Sequence, residues 1–289
     1  MTTRAWVLVP VNDLAATLNF YTNNLSWTLG ERPAPDMAFI LEPDGKAILL
    51  AGPRAGDTTP YLQENAPIKQ AGSTLPFHTA NVDDLRAELE QRGLQNLRIE
   101  KGTWEHTLYI PAPEHTLIFS SLAPLSTQEI LARYEQGPYE LDAVLAGRSE
   151  AGLDIARAPG EWTIRQIVHH ISDGDDLWAL VIKAALAASG ASYNQEWYTT
   201  DNACFIPLDY AGRSIEPALA LFRATRAHIA QLLHHLPDDA WERYVMFKGQ
   251  GMPTPAKVTV TVAVMIQAKH ALEHIDEIRD IYTSSPSHL

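Results

Sequence analysis

One pattern occurs twice in the first half of the chain, and that duplication limits the fold more than any other feature. PVNDLAATLNFYTNNL from Pro10 matches NVDDLRAELEQRGL from Asn81, setting Asp13 against Asp84, 71 residues on. EPDGKAILLAG from Glu42 matches APEHTLIFSSL from Ala112 at an offset of 70. Short β-type runs (AWVLVPV, MAFILEP, AILLAG, HTLYIPAP, TLIFSSL) flank the two helical patterns, so each copy reads strand, helix, then several strands. A unit of that size cannot close a core alone. Two copies predict paired βαβββ modules, an α+β domain over residues 1–122.

After residue 122 the period changes. Ile164, Ile167, Val168 and Ile171, and again Leu219, Phe222, Ile229 and Leu233, recur at helical spacing, which predicts an all-helical second domain over 125–289. The stretch SLAPLSTQE at 121–129 holds a proline and small polar residues before a new helix and marks the boundary. VTVTVAV at 258–264 alternates like a strand yet leads into the last helix, so the start of that helix is not fixed by pattern.

Composition narrows the function. Lys plus Arg number 22 against 35 Asp plus Glu, a net charge of −13, with no basic patch to track phosphates, so nucleic acid is not expected as a partner. No apolar run reaches the roughly 18 to 20 residues that span a bilayer, and no signal peptide is read, so no membrane partner is expected and a cytoplasmic location is. The one cysteine, Cys204, excludes an intrachain disulfide and a multi-cysteine zinc site; packing is its expected role.

Histidine carries the chemistry. Three of the eleven, His78, His106 and His115, precede residue 123 and eight follow it. In GEWTIRQIVHHISDGD a helix starts near Thr163 and runs through Trp178. With Ile164 at zero and 100° per residue, His170 falls at about 240°, on the edge of the apolar face, and His169 at about 140°, close to the opposite side. Only His170 is expected to point into the bundle. AKHALEHIDEIRDI places His270 and His274 four residues apart on one helix surface, where two imidazoles can share an ion. Ala271 stands where a zinc protease has its general-base Glu, which excludes that class. A third ligand from another helix would give three nitrogens and an open position, the arrangement of a catalytic divalent metal. His228, His234 and His235 read as polar positions on the third helix.

Two resemblances follow. VPVNDLAATLNFYTNNLSW and EPDGKAILL resemble a glyoxalase/bleomycin-resistance (vicinal oxygen chelate) module over residues 1–122. Metal enzymes of that family place a His on the first strand and a Glu on the last; here Ala5 and Trp6, and Leu49 and Phe119, stand near those places, with His78 the one possible remnant. The resemblance therefore implies a metal-free binding or dimerisation module, with a cleft for which Trp6, Phe20, Tyr21, Trp27 and Trp104 are the candidate lining. Trp162, Thr163 and His170, then His270, His274 and Ile278, resemble the DinB/YfiT-like superfamily over about 125–289.

That second resemblance implies an antiparallel four-helix bundle holding one divalent ion, Zn or Ni, through His170, His270 and His274. It also implies a low-molecular-weight thiol (bacillithiol, mycothiol or glutathione) as cosubstrate and a small-molecule substrate. The expected reaction is S-transfer of the metal-held thiolate to an electrophile. A metal-dependent hydrolase is the enzyme alternative, and sequestration of a small molecule by the first module the non-catalytic one. Both families imply a homodimer. The loop Gly190 to Arg213, with Trp197, Tyr198, Asn202 and Phe205, is long enough to cover the site.

Overall fold

In the computed structural model, which describes residues 3–70, 72–198, 206–252 and 254–284, the first half of the chain forms two four-stranded sheets of one topology. The chain divides into two units, Met1–Pro124 and Leu125–Leu289. The first sheet comes from β1 (Val7–Pro10), helix α1 (Leu14–Asn19), β2 (Thr28–Leu29), β3 (Met37–Leu41) and β4 (Ala47–Ala51), in the order β1-β4-β3-β2. The second repeats it with β5 (Thr74–His78), α2 (Val82–Gln91), β6 (Arg98–Lys101), β7 (Glu105–Pro111) and β8 (Thr116–Leu122), ordered β5-β8-β7-β6. In each, the first strand pairs parallel with the last, a connection that needs a crossover, and the remaining pairs are antiparallel.

The duplication is real, but its helices align differently from the sequence match. Asp13 caps α1 by accepting from the Ala16 amide at 2.9 Å, and Asn81 caps α2 by accepting from the Asp83 amide at 2.8 Å. Asp13 therefore answers Asn81, 68 residues on, and Leu14 answers Val82, both buried as the first helical residue. The sequence match is displaced by three residues. Three is close to one helical turn, so the apolar pattern reads almost alike in either alignment.

One core serves both sheets: Val7, Val9, Ile48 and Leu50 pack in one cluster with Leu75, Phe77, Leu117 and Phe119. The alternate residues Leu8, Leu49 and Phe39 belong to a second cluster, as the two-residue period of a strand requires. Leu49 and Phe119, expected at equivalent places, thus sit on opposite faces.

The second unit holds α3 (Thr127–Leu145), the short α4 (Glu150–Leu153), α5 (Ile164–Ala187), α6 (Glu216–His234) and α7 (Val260–Ser284). Capping boxes start two of the four long helices, Ser126 with Glu129 and Thr163 with Gln166. Beside the four-helix bundle lies a three-stranded sheet that helical periodicity did not predict: β9 (Ala191–Gln195), β10 (Tyr244–Gly249) and β11 (Ala256–Thr259), ordered β11-β10-β9. The VTVTVAV segment is strand to Thr259 and helix from Val260. The Thr259 hydroxyl accepts from the Val262 amide at 3.2 Å, and full burial of Val260 and Val264 outweighs their weak helix propensity. No described helix is long and apolar enough to cross a membrane.

A buried ion pair ties the bundle together. Arg226 of α6 and Asp175 of α5 are 1% and 0% exposed and meet through two bonds, Nε to Oδ2 at 2.7 Å and Nη2 to Oδ1 at 2.9 Å. Arg226 also donates to the Gln267 carbonyl on α7 at 2.7 Å and to the Tyr134 carbonyl on α3 at 2.6 Å. The last acceptor exists because Pro138, four residues on, has no N–H to occupy it. Gly137 completes the notch, since a Cβ there would collide with the Arg226 Nη1.

Candidate metal centre

α5 leaves the Thr163 cap with Ile164, Ile167, Val168 and Ile171 buried, and the same turns carry His170 toward α7. On α7 the fully buried Val264, Ala268 and Ile275 set the face that His270 and His274 flank. One nitrogen from each of His170, His270 and His274 lies within 4.8 Å of the other two. The Nε2 atoms of His170 and His270 are 2.9 Å apart, and the three ring centroids are 4.7–4.9 Å from one another. Trp162 packs edge-on against His170 at 4.7 Å and stacks toward His274 at 6.4 Å. Gly174, one turn after His170, makes room: a Cβ there would sit 3.3 Å from the His270 Cε1. Among the described residues no other three His, Cys, Asp or Glu side chains converge in this way.

The electrostatics fit a cation. Burial, with the nearby His274 as a smaller cause, pushes the His170 imidazole down to about 3. Burial first, then His170, His274 and Arg226, holds His270 well below its ordinary range. Both rings are therefore neutral at physiological pH, the state in which imidazole offers a lone pair. The His274 Nδ1 is engaged by the Glu277 carboxylate at 2.8 Å, which leaves its Nε2 for the centre, and a carboxylate behind a ligand histidine is the usual outer partner in metal sites. Two nitrogens sharing one tetrahedral ion are spaced by about 3.3 Å. The observed spacing is a few tenths shorter. The buried His270 Nδ1 has no hydrogen-bond partner among the described residues.

The three rings open into a cavity of about 450 Å³. Trp178 of α5, Ile266 of α7 and, from the unexpected sheet and its turn, Phe247 and Met252 give it apolar walls, and Gln195, Gln250 and Gln267 bring amides to it. Trp178 and Phe247 stack at 5.3 Å. Tyr198, in the loop singled out as a cover, lines the cavity, whereas Trp197 is 65% exposed and does not. Asn202, Cys204 and Phe205 lie outside the described residues.

The other histidines are placed apart. His169 is buried rather than exposed, since it stacks on Tyr210 at 5.4 Å with Nε2 3.4 Å from the Arg213 carbonyl; an isolated helical wheel cannot show that segment covering it. His228, His234 and His235 are exposed on or just after α6, His234 against Glu135 at 3.0 Å. In the first unit His78 bonds Ser120 at 3.1 Å. Sequence reasoning missed Glu277 and Gly174, although Glu277 stands three residues after His274, within reach on one helix face. It also missed Gln195 and Phe247, for which helical periodicity holds no signal.

Residues 133–278 match the family model of the DinB superfamily. The chain belongs to that superfamily. Residues 3–110 match the model of the Glyoxalase/Bleomycin resistance protein/Dioxygenase superfamily, so the DinB bundle is fused to a glyoxalase-like module. A protein of Geobacillus kaustophilus with the provisional name of metal-dependent hydrolase is 27% identical over 156 residues, 53% of this chain and 83% of its own. A protein of the same provisional name from Geobacillus thermodenitrificans is 26% identical over 156 residues, with the same coverage. Among solved structures, YfiT from Bacillus subtilis covers 56% of this chain and 90% of its own at 20% identity and a TM-score of 0.49. A glyoxalase/bleomycin resistance protein/dioxygenase from Nocardioides covers 44% and 85% at 21% identity and a TM-score of 0.33.

Proposed function

We propose that His170, His270 and His274 bind one divalent ion, Zn or Ni, and that the site serves S-transfer from a low-molecular-weight thiol to a small electrophile. The observation that carries this reading is three imidazole nitrogens converging on a cavity whose described lining holds no Lys, Arg, Asp or Glu. An ion held by three neutral ligands would keep its full positive charge and acidify a thiol or a water placed beside it. The residues divide the remaining work. Glu277 fixes the tautomer and orientation of His274 through Nδ1, and Trp162 limits the tilt of His170. Trp178, Phe247, Met252 and Ile266 restrict water, while the amides of Gln195 and Gln250 can orient a neutral polar group.

The lining favours thiol over water. Hydrolysis of an amide or ester needs a proton delivered to the leaving group, and no described carboxylic acid lines the cavity to deliver it. A thiol would release its proton to solvent, and its sulfur would form the new bond to carbon as a stable anion such as a halide departs, a step that needs no proton donor. The hydrolase reading stands second, favoured by the names of the Geobacillus relatives. A homodimer is part of the proposal on family grounds only.

Elemental analysis of the purified protein and of a His270→Ala, His274→Ala variant tests the site. The expected result is about one equivalent of metal in the native protein and under about a tenth in the variant. Native protein that takes up neither Zn nor Ni would end the enzyme reading. With metal present, thiol-dependent consumption of a monochlorobimane probe supports S-transfer, and metal-dependent ester cleavage without thiol supports the hydrolase instead.

A further inference from the structure

The first unit contains a larger cavity, about 860 Å³, that the metal centre does not use. Its wall is aromatic and continuous. Phe77 and Phe119 stack at 5.0 Å, Trp27 meets Phe77 edge-on at 5.2 Å and Phe119 at 6.4 Å, and Trp6 meets Phe77 edge-on at 6.4 Å. All four rings line the cavity, and they come from both halves of the duplication. Phe20, Tyr21 and Trp104, also expected there, are not in the lining, and Tyr21 is fully buried in the core.

Charge at this cavity is uneven. Lys46 is paired with Asp44 at 2.8 Å, and Arg92 is paired with Glu88 one turn earlier on α2. Glu42 is the remaining lining carboxylate and makes no ion pair among the described residues. Its Oε1 accepts from the indole N–H of Trp6, one of the wall rings. Glu42 is half-buried, and that burial raises its carboxyl above the usual range; the Trp6 hydrogen bond is the main opposing cause, Asp44 adds to the rise and Lys46 acts most weakly, against it. A desolvated carboxylate beside aromatic faces lacks only a cation. The volume suits a ligand of drug-like size.

We propose that this cavity binds a small organic cation, an aromatic or planar apolar body carrying a basic nitrogen, with the body against Phe77, Phe119 and Trp27 and the nitrogen against Glu42 and the Trp6 ring. No metal donor set is involved, and the proposal is independent of the reaction at the histidines. Calorimetric titration of the full chain compares 1-naphthylmethylamine, a cation at neutral pH, with the near-isosteric neutral 1-naphthylmethanol.

The amine is expected to bind at least about tenfold tighter than the alcohol. Glu42→Gln keeps an acceptor for Trp6 and is expected to lower amine affinity to that of the alcohol, leaving the alcohol unchanged. Lys46→Ala, at an exposed position that does not threaten folding, is expected to tighten amine binding about twofold to threefold by removing a nearby positive charge. The His270→Ala, His274→Ala variant should bind the amine as native protein does. Equal affinities for the two probes, no amine binding, a preference that survives Glu42→Gln, or amine binding lost with the histidines would each overturn the proposal.

Discussion

His115 in the first unit and His270 in the second are both imidazoles kept neutral by burial, and they differ in what they face. The His115 Nε2 is 2.7 Å from the Tyr21 hydroxyl and its ring stacks on Tyr21 at 5.8 Å, a closed pairing within the core. The His270 Nε2 faces another imidazole nitrogen at 2.9 Å, with a third ring 4.7 Å away. Desolvation prepares a lone pair in both places; only in the bundle do several lone pairs point at one spot. A low pKa therefore does not mark a metal site. Convergence does.

Three substitutions press on that difference. Glu277→Ala leaves the triad intact but frees the His274 Nδ1, and metal affinity measured by competition with a chelator is expected to fall about 10- to 100-fold. Unchanged affinity would mean that the carboxylate does not orient the ring. His115→Gln should leave metal content untouched and act on stability alone. Burial pushes His115 down to about 4, below the ordinary value of 6.5 that the unfolded chain keeps. Between those limits the unfolded state takes up a proton that the folded state refuses, so stability is full above pH 6.5 and is lost as pH falls toward 4. The loss is on the order of 3 kcal/mol, and urea unfolding at several pH values should show a flatter profile in His115→Gln. Gly174→Ala is expected to have the smallest effect, a weakening of metal binding by about threefold to tenfold, because the new Cβ presses on the His270 ring. Stability without metal should hold or rise by up to about 1 kcal/mol, since alanine favours helix over glycine. A joint fall in both would make Gly174 a packing residue only.

The sequence pattern anticipated the paired modules and the bundle because both rest on periodicity, 2 for the strands and 3.6 for the helices. It placed His170 on the correct edge of α5 for the same reason. The three-residue displacement of the α2 alignment shows the limit of that signal, since periodicity does not distinguish alignments one turn apart. The burial of His169 shows another: a wheel knows the helix but not what lies over it. Gln195 and Phe247 reach the histidine cavity from a sheet made of strands 53 residues apart at their starts, a pairing fixed by tertiary contact and invisible to local pattern. In the first unit Trp6 and Trp27 were read correctly as cleft residues, but Glu42 was passed over because an acidic residue before a turn ordinarily sits in water.

The notch made by Gly137 and Pro138 bears on how the bundle assembles. Arg226 sits on α6 while its acceptors are on α3, α5 and α7, so its guanidinium is satisfied only when all four helices have docked. Any intermediate that buries Arg226 with one helix missing leaves a charge short of partners, at a cost of several kcal/mol. Such species stay sparsely populated, and the unit folds cooperatively. Asp175 lies five residues after His170, and Gln267 three before His270. The step that completes the core thus also brings the three histidines together.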